Sequence, residues 1–284
     1  DIPEYIELCR QGDYAAALKV ILEKNPLPFI TGTICAHHCM DKCTRNFYES
    51  PVQIRATKLV AAERGYDKVM ARLKTPTPVY DGKKVAIIGG GPTGMAAAYF
   101  CGRAGIPTTL FEREGALGGI VRYVIPDFRI ADDAIEKDAA LMQKMGVEVK
   151  LNTPAPSVEE LKAKGYTHIL FAIGAWKPGK LDIPGNVKPV IAWMKDVKAG
   201  KVEELGHAAI IGGGNTAMDA ARLALRAGAK SSTLVYRRTK KYMPADAEEL
   251  ELAMADGVQF LELVSPVEQK DGKLLCRKMV LGEP

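Results

Sequence analysis

No stretch of this 284-residue chain approaches the long uncharged apolar run that a membrane-spanning helix needs. The opening DIPEYIELCRQGD is acidic and polar where the apolar core of a secretory signal would lie, so it is not expected to be a signal peptide. Cysteine is scarce: six residues are too few, in a chain this long, to staple a disulfide scaffold. Cys9, Cys101 and Cys276 stand alone, while Cys35, Cys39 and Cys43 share one short stretch; this usage predicts a reducing, cytoplasmic setting. The basic excess is also small. A net charge of +5, with Lys and Arg dispersed among acids, excludes a dedicated nucleic-acid binder, which would gather its charge on one element. The one dense basic group is Arg237-Arg238-Thr239-Lys240-Lys241.

What is present has the balance of an ordinary globular protein, 47% apolar and 26% charged, at a length that predicts two domains and an appendage. The chain has no initiator Met and stops within Leu281-Gly282-Glu283-Pro284, so a fragment of a longer polypeptide is expected. Residues 1–74 read as a helical domain. An apolar stripe at helical spacing runs from Tyr14 to Leu22 until Asn25-Pro26 stops it, and a loop with Pro28 and Gly32 leads to the clustered cysteines. A second helix spans about 52–64, with Gly65 as its stop. Thr75-Pro76-Thr77-Pro78 is a stiff linker.

Beyond the linker, strands and helices alternate. Strands are expected at 84–88, 108–112, 147–150 and 168–172, with helices at 95–103 and 132–145 between them. The pattern then restarts: strand 208–211, helix 215–226, strand 232–236. Such alternation predicts an α/β fold with parallel, doubly wound sheets, here two Rossmann-like dinucleotide-binding units in series over 75–187 and 188–284.

Each unit opens on a glycine fingerprint. Gly89-Gly90-Gly91-Pro92-Thr93-Gly94 is G-x-G-x-x-G between a strand and a helix, with Glu112 at the end of the next strand. Gly89 permits the tight turn, Gly91 lets a pyrophosphate approach the backbone, and Gly94 allows helix and strand to pack closely. Gly212-Gly213-Gly214-Asn215-Thr216-Ala217 repeats the pattern with Ala in the third position. Aligning the repeats sets Glu112 opposite Tyr236, which Arg237 and Arg238 follow. A carboxylate accepts from a ribose 2′-hydroxyl and repels a 2′-phosphate; paired guanidinium groups do the reverse. The first unit is therefore expected to hold FAD or NAD, and the second NADPH.

Ordered motifs extend this reading along the chain: Asn25-Pro26-Leu27-Pro28 before the cysteines, Leu110-Phe111-Glu112-Arg113, Leu117-Gly118-Gly119, Ile125-Pro126-Asp127-Phe128-Arg129, Ala172-Ile173-Gly174-Ala175, and Met243-Pro244-Ala245. In these the chain resembles the small (beta) subunit of NADPH-dependent glutamate synthase. Its relatives include the N-terminal half of dihydropyrimidine dehydrogenase and subunits described as selenate reductases, the last looking nearest. The resemblance implies FAD contacts at Gly89, Gly91, Pro92, Thr93, Gly94, Glu112, Arg113, Gly118, Gly119, Arg129 and Gly174. It implies NADPH contacts at Gly212, Gly214, Asn215, Thr216, Ala217, Arg237 and Arg238. It implies an electron path from NADPH through FAD and iron–sulfur clusters to a partner subunit or domain. It further implies a returning segment that completes the FAD domain after the NADPH domain, an earlier cysteine group, and a ligating Gln or acid where this chain has Lys58.

Cys35, Cys39 and Cys43 leave three readings open: part of an iron–sulfur ligand set, a zinc site with His37 or His38, or inert thiols at i, i+4 and i+8 of a helix. A four-ligand cluster finds no fourth Cys nearby, so the inert reading is the expectation. A disulfide reductase is excluded because no C-x-x-C lies beside the flavin turn. A flavin monooxygenase would use the same two folds. The alternative from another class is a non-catalytic nucleotide-binding or electron-transfer scaffold with an incomplete FAD site.

Overall fold

The computed structural model describes residues 1–79, 82–177, 179, 181–201 and 204–282. The chain divides into two compact units, Asp1–Arg122 with Asp127–Gly174, and Tyr123–Pro126 with Ala175–Pro284.

The first unit begins with five helices: α1 (Ile2–Arg10), α2 (Tyr14–Leu22), α3 (Pro28–Ile34), α4 (His38–Asp41) and α5 (Ile54–Arg72). Tyr5, Ala17, Ile21 and Ala61 form a core shared by α1, α2 and α5. Two sequence expectations fail here. Gly65 does not stop a helix, because α5 runs through it to Arg72. A side chain at Gly65 would collide with the carbonyl of Tyr14, so the residue serves the close approach of α2 and α5. The loop expected around Pro28 and Gly32 is α3. Pro28 occupies a first-turn position where a missing N–H costs nothing. The next two N–H groups, of Phe29 and Ile30, donate to the Asp138 carboxylate at 3.1 and 2.8 Å. That cap comes from 108 residues away, beyond the reach of local pattern.

Asp138 is fully buried. Burial pushes its carboxyl up to about 7, against the opposing pull of the Ile30 and Phe29 N–H groups and the Lys58 ammonium. A carboxyl raised in the folded state adds stability that is fully present below the ordinary value of 3.8 and lost as pH rises through about 7. Urea unfolding of the first unit is therefore expected to lose stability between about pH 4 and 7, relative to Asp138→Asn, by a few kcal/mol in order of magnitude. Parallel profiles for the two proteins would show that the buried carboxyl does not titrate in this range.

The α/β part follows in the same unit: β1 (Val85–Ile88), α6 (Pro92–Arg103), β2 (Thr108–Phe111), α7 (Ile120–Tyr123), α8 (Asp132–Gln143), β3 (Glu148–Lys150), α9 (Val158–Ala163) and β4 (His168–Phe171). The strands form one parallel sheet in the order β3-β2-β1-β4. The central β1 and β2 are buried almost throughout, as a sheet covered by helices on both faces requires, with Thr108 and Thr109 the polar residues among them.

The second unit contains α10 (Val190–Lys198), β5 (His207–Ile211), α11 (Asn215–Arg226), β6 (Ser231–Tyr236), α12 (Ala247–Ala255), β7 (Gln259–Glu262), β8 (Val264–Lys270) and β9 (Lys273–Lys278). Strands β5-β6-β7 are parallel, and β8-β9 is an antiparallel hairpin. Met218, Ala221, Leu234, Leu250, Ala253 and Val258 make the core beneath the three-stranded sheet. Arg222 on α11 is buried and donates to Asp256 at 2.7 Å, which Arg226 also reaches at 2.7 Å. The two guanidinium groups hold the Asp256 carboxyl below the usual carboxylate range. The helix and strand expectations from 84 to 236 agree with these elements to within a few residues at their ends.

Candidate functional site

β1 feeds the turn at Gly89–Gly91, and α6 starts at Pro92. Gly89 has φ +107°, and a Cβ there would stand 2.5 Å from the carbonyl oxygen of Ala172, just past β4. Gly94 lies so close under the Gly89 carbonyl that a Cβ would overlap it. Gly91 differs: its Cβ would meet nothing nearer than the Gly119 Cα at 3.8 Å. The outer glycines are thus demanded by the protein itself, while the central one leaves open space before the N-terminus of α6. Unpaired N–H groups of a first helical turn, facing such space, suit a phosphate.

Glu112 follows β2 and is 5% exposed. Its carboxylate accepts from Gly90 N at 2.5 Å and from Glu114 N at 2.9 Å. Each carboxylate oxygen has more than one lone pair, so these bonds leave acceptor capacity for a ribose hydroxyl. Gly118 (φ +119°) donates to the Gly90 carbonyl at 2.8 Å, and a Cβ on Gly119 would press on Gly91 at 2.8 Å. Arg122, not singled out from the sequence, braces this second wall. Its buried guanidinium donates to the Leu117 carbonyl at 2.5 Å and pairs with Asp132 at 3.0 Å and Glu136 at 2.5 Å. Thr93 is exposed on the first turn of α6, and Arg129 is half-buried ahead of α8. Arg113 is mostly exposed and pairs with Glu114 at 3.5 Å. Gly174 (φ +69°) closes the first unit two residues past Ala172.

The second turn, Gly212–Gly214, joins β5 to α11. Gly212 has φ +142°, and a Cβ on Gly213 would strike the Tyr236 ring at 2.5 Å. Nothing stands within 4 Å of the Cβ position of Gly214, the residue preceding α11. Ala217 is buried and Thr216 is exposed. Register makes the comparison between the turns firm. Ile88, the last residue of β1, pairs with Phe111, and Glu112 follows it; Ile211, the last of β5, pairs with Val235, and Tyr236 follows. Arg237 and Arg238 come next, both exposed.

The three clustered cysteines do not share a helix, which corrects the i, i+4, i+8 picture. Cys35 ends α3 in extended backbone, Cys39 sits in the four-residue α4, and Cys43 precedes a short 3-10 turn. The positive φ of His37, +41°, turns the chain between the first two. Backbone N–H groups of Val52 and Arg45 hold the Cys43 thiol below its ordinary range. Lys58 is half-buried, and that burial depresses its ammonium against the opposing charge of Cys35 and Cys39. Among the described residues, no three His, Cys, Asp or Glu side chains are gathered to hold a metal ion.

With both turns defined, the likeness to known proteins becomes specific. Residues 83–280 match the family model for pyridine nucleotide-disulphide oxidoreductases. The chain belongs to that family. Residues 1–69 match a second model, described as domain II of dihydropyrimidine dehydrogenase with a 4Fe-4S cluster. The whole chain is 43% identical to 28% of the protein named "Putative oxidoreductase YgfK" of Escherichia coli (strain K12). It is 35% identical to 45% of the NADPH-Fe(3+) oxidoreductase subunit beta of Geobacter sulfurreducens, and 30% identical to 65% of the Escherichia coli (strain K12) glutamate synthase [NADPH] small chain. The chain thus spans between about a quarter and two thirds of the length of these relatives. Among solved structures, Lactococcus lactis thioredoxin reductase shares the fold, with a TM-score of 0.52 at 23% identity over 71% of this chain and 73% of that one. The resemblance inferred from the ordered motifs is therefore borne out, and the family's oxidoreductase character with it. Among the described residues no helix is long and apolar enough to cross a membrane.

Proposed function

We propose that the chain is the NADPH- and FAD-binding part of an oxidoreductase that passes hydride from NADPH to FAD and electrons onward to a partner domain or subunit. On this reading residues 75–187 and 188–284 are two Rossmann-like units in series, and 1–74 is a helical domain. The observation that carries it is the chemical contrast at matching points of the two sheets. A buried carboxylate, Glu112, directly follows β2 of the first unit, whereas β6 of the second ends on Tyr236 and is followed by Arg237 and Arg238. The first suits an adenosine ribose with free hydroxyls, and the second suits a 2′-phosphate. Both turns leave the space at their central or last glycine that a pyrophosphate needs.

Flavin supplies the two-electron acceptor and one-electron donor chemistry when bound. The chain's own residues bind and orient. Gly91 and the first turn of α6 face the flavin pyrophosphate, and the Gly118–Gly119 loop, braced by Arg122, walls the site. Gly214 and α11 serve the second nucleotide in the same way. Cys35, Cys39 and Cys43 are thiol donors of the type a 4Fe-4S cluster uses, but they are three, not four, and are not gathered into one set, so they do not make up a complete cluster site. The family name does not make a disulfide the substrate, because the clustered cysteines lie upstream of the first turn and are spaced by three residues. The six unpaired thiols suit a reducing, cytoplasmic compartment.

The test is a visible spectrum of the chain supplied with FAD, repeated after anaerobic NADPH. A flavin spectrum that bleaches with NADPH and far less with NADH is the expected result. A chain that binds neither flavin nor NADPH would overturn the reading and leave the non-catalytic scaffold in its place.

A further inference from the structure

The second glycine turn carries a strap whose purpose the ribose contrast does not explain. Past the 3-10 turn Lys240–Tyr242, the chain folds back over Gly212–Gly214 before α12 begins. Four hydrogen bonds pin it there. Tyr236 Oη donates to the Tyr242 carbonyl at 2.6 Å, and Ala245 N donates to the Gly213 carbonyl at 3.0 Å. Asp246 N donates to Asn215 Oδ1 at 3.0 Å, while Asn215 Nδ2 donates to Asp246 Oδ2 at 3.0 Å. The last two close a reciprocal ring between the first residue of α11 and the residue that precedes α12.

This ring orients the Asn215 amide without ambiguity, because Asp246 N only donates and Asp246 Oδ2 only accepts. Asn215 Nδ2 carries two N–H groups, and Asp246 uses one of them. The other is not taken up by Asp246, and Asn215 directly follows Gly214, whose Cβ position is open. One oxygen of the Asp246 carboxylate, Oδ2, is taken up by the Asn215 amide. Asp246 is not needed to start α12: its side chain makes no bond to the N–H groups of that helix. The carboxylate is therefore committed to the glycine turn and not to its own helix.

We infer that Asp246 is a positioning residue for the dinucleotide pyrophosphate, holding Asn215 and the strap in the geometry that the second turn needs before the nucleotide arrives. The inference rests on the NADPH reading of this turn. It differs from the role of Arg237 and Arg238, because the pyrophosphate is common to NADPH and NADH whereas the 2′-phosphate is not. Loss of Asp246 should weaken both nucleotides alike.

The experiment is fluorescence titration of NADPH and NADH against the full chain, comparing wild type, Asp246→Ala, Asn215→Ala and the double variant. Asp246→Ala should raise both dissociation constants about tenfold, the loss typical of a charge-assisted hydrogen bond, and leave their ratio unchanged. The double variant should be no worse than the worse single one, since both cut the same ring. Should Asp246→Ala fail to fold, Asn215→Ala opens the ring from the other side, and the same proportional loss is expected of it. Wild-type affinity in both single variants, or a loss confined to NADPH, would overturn the inference while the NADPH reading stood. Absence of saturable binding by the wild type would overturn both.

Discussion

Replacing Arg237 and Arg238 together with Ala should weaken NADPH binding about a hundredfold and change NADH by no more than a few-fold, because on the proposed reading each guanidinium would make charge-assisted hydrogen bonds that only a phosphate can accept in full. Both side chains are exposed at the end of β6, and no ion pair to either is found among the described residues. Their removal therefore leaves no buried charge and no broken core contact. The effect should appear in the nucleotide and not in stability. Tyr236, by contrast, is buried and holds the strap through its hydroxyl, so its replacement would disturb both nucleotides. Changing each Arg to Lys keeps the charge but not the paired donor fork, and should recover only part of the affinity. Competitive titration of the two nucleotides reads the outcome directly. Equal losses for NADPH and NADH would mean that the pair does not face a 2′-phosphate.

Gly94→Ala and Gly91→Ala, three residues apart, should fail in different ways. At Gly94 a methyl group overlaps the Gly89 carbonyl, and the atoms beneath it are backbone and the Ile87 side chain, which have nowhere to move. Overpacking of this kind costs about 1–3 kcal/mol or more. The strand–turn–helix junction must open to relieve it, so unfolding should come earlier and flavin be lost with the fold. At Gly91 the added methyl meets only the Gly119 Cα at 3.8 Å, an ordinary contact, and φ is −75°, which any residue adopts. Stability should stay within about 0.5 kcal/mol of wild type. Flavin should nevertheless bind at least tenfold more weakly, because the methyl fills the space that the pyrophosphate would take. Thermal melts with and without added FAD separate the two cases. If Gly91→Ala binds FAD as wild type does, the ligand does not pass over that residue.

The parts of the protein governed by local rules were legible in its residues. Alternating apolar strands and glycine turns placed the β1–α6 and β5–α11 junctions, and the repeat itself set Glu112 against Tyr236, a match that strand register upholds. The chemistry at those two points follows from residue type, since carboxylate and guanidinium charges do not depend on the fold for their sign. What local sequence could not settle was any role assigned by a distant partner. Pro28 and Gly32 carry the marks of a loop, yet the segment is a helix because Asp138 satisfies its first N–H groups. Gly65 looks like a helix stop, yet it is the contact that lets α2 lie against α5. The cysteines at four-residue spacing match a helical face, but the positive φ at His37 breaks the helix between them. Asp246 looks like an ordinary acid ahead of a helix, and only the folded chain brings it to Asn215, 31 residues earlier. The residues themselves determined the sheet pattern, the two turns and the opposite charges beside them, because these depend on neighbours a few positions away. The tertiary structure alone decided which glycines are packed and which are open, and which carboxylates serve an element other than their own, because these depend on atoms that meet only when the chain has folded.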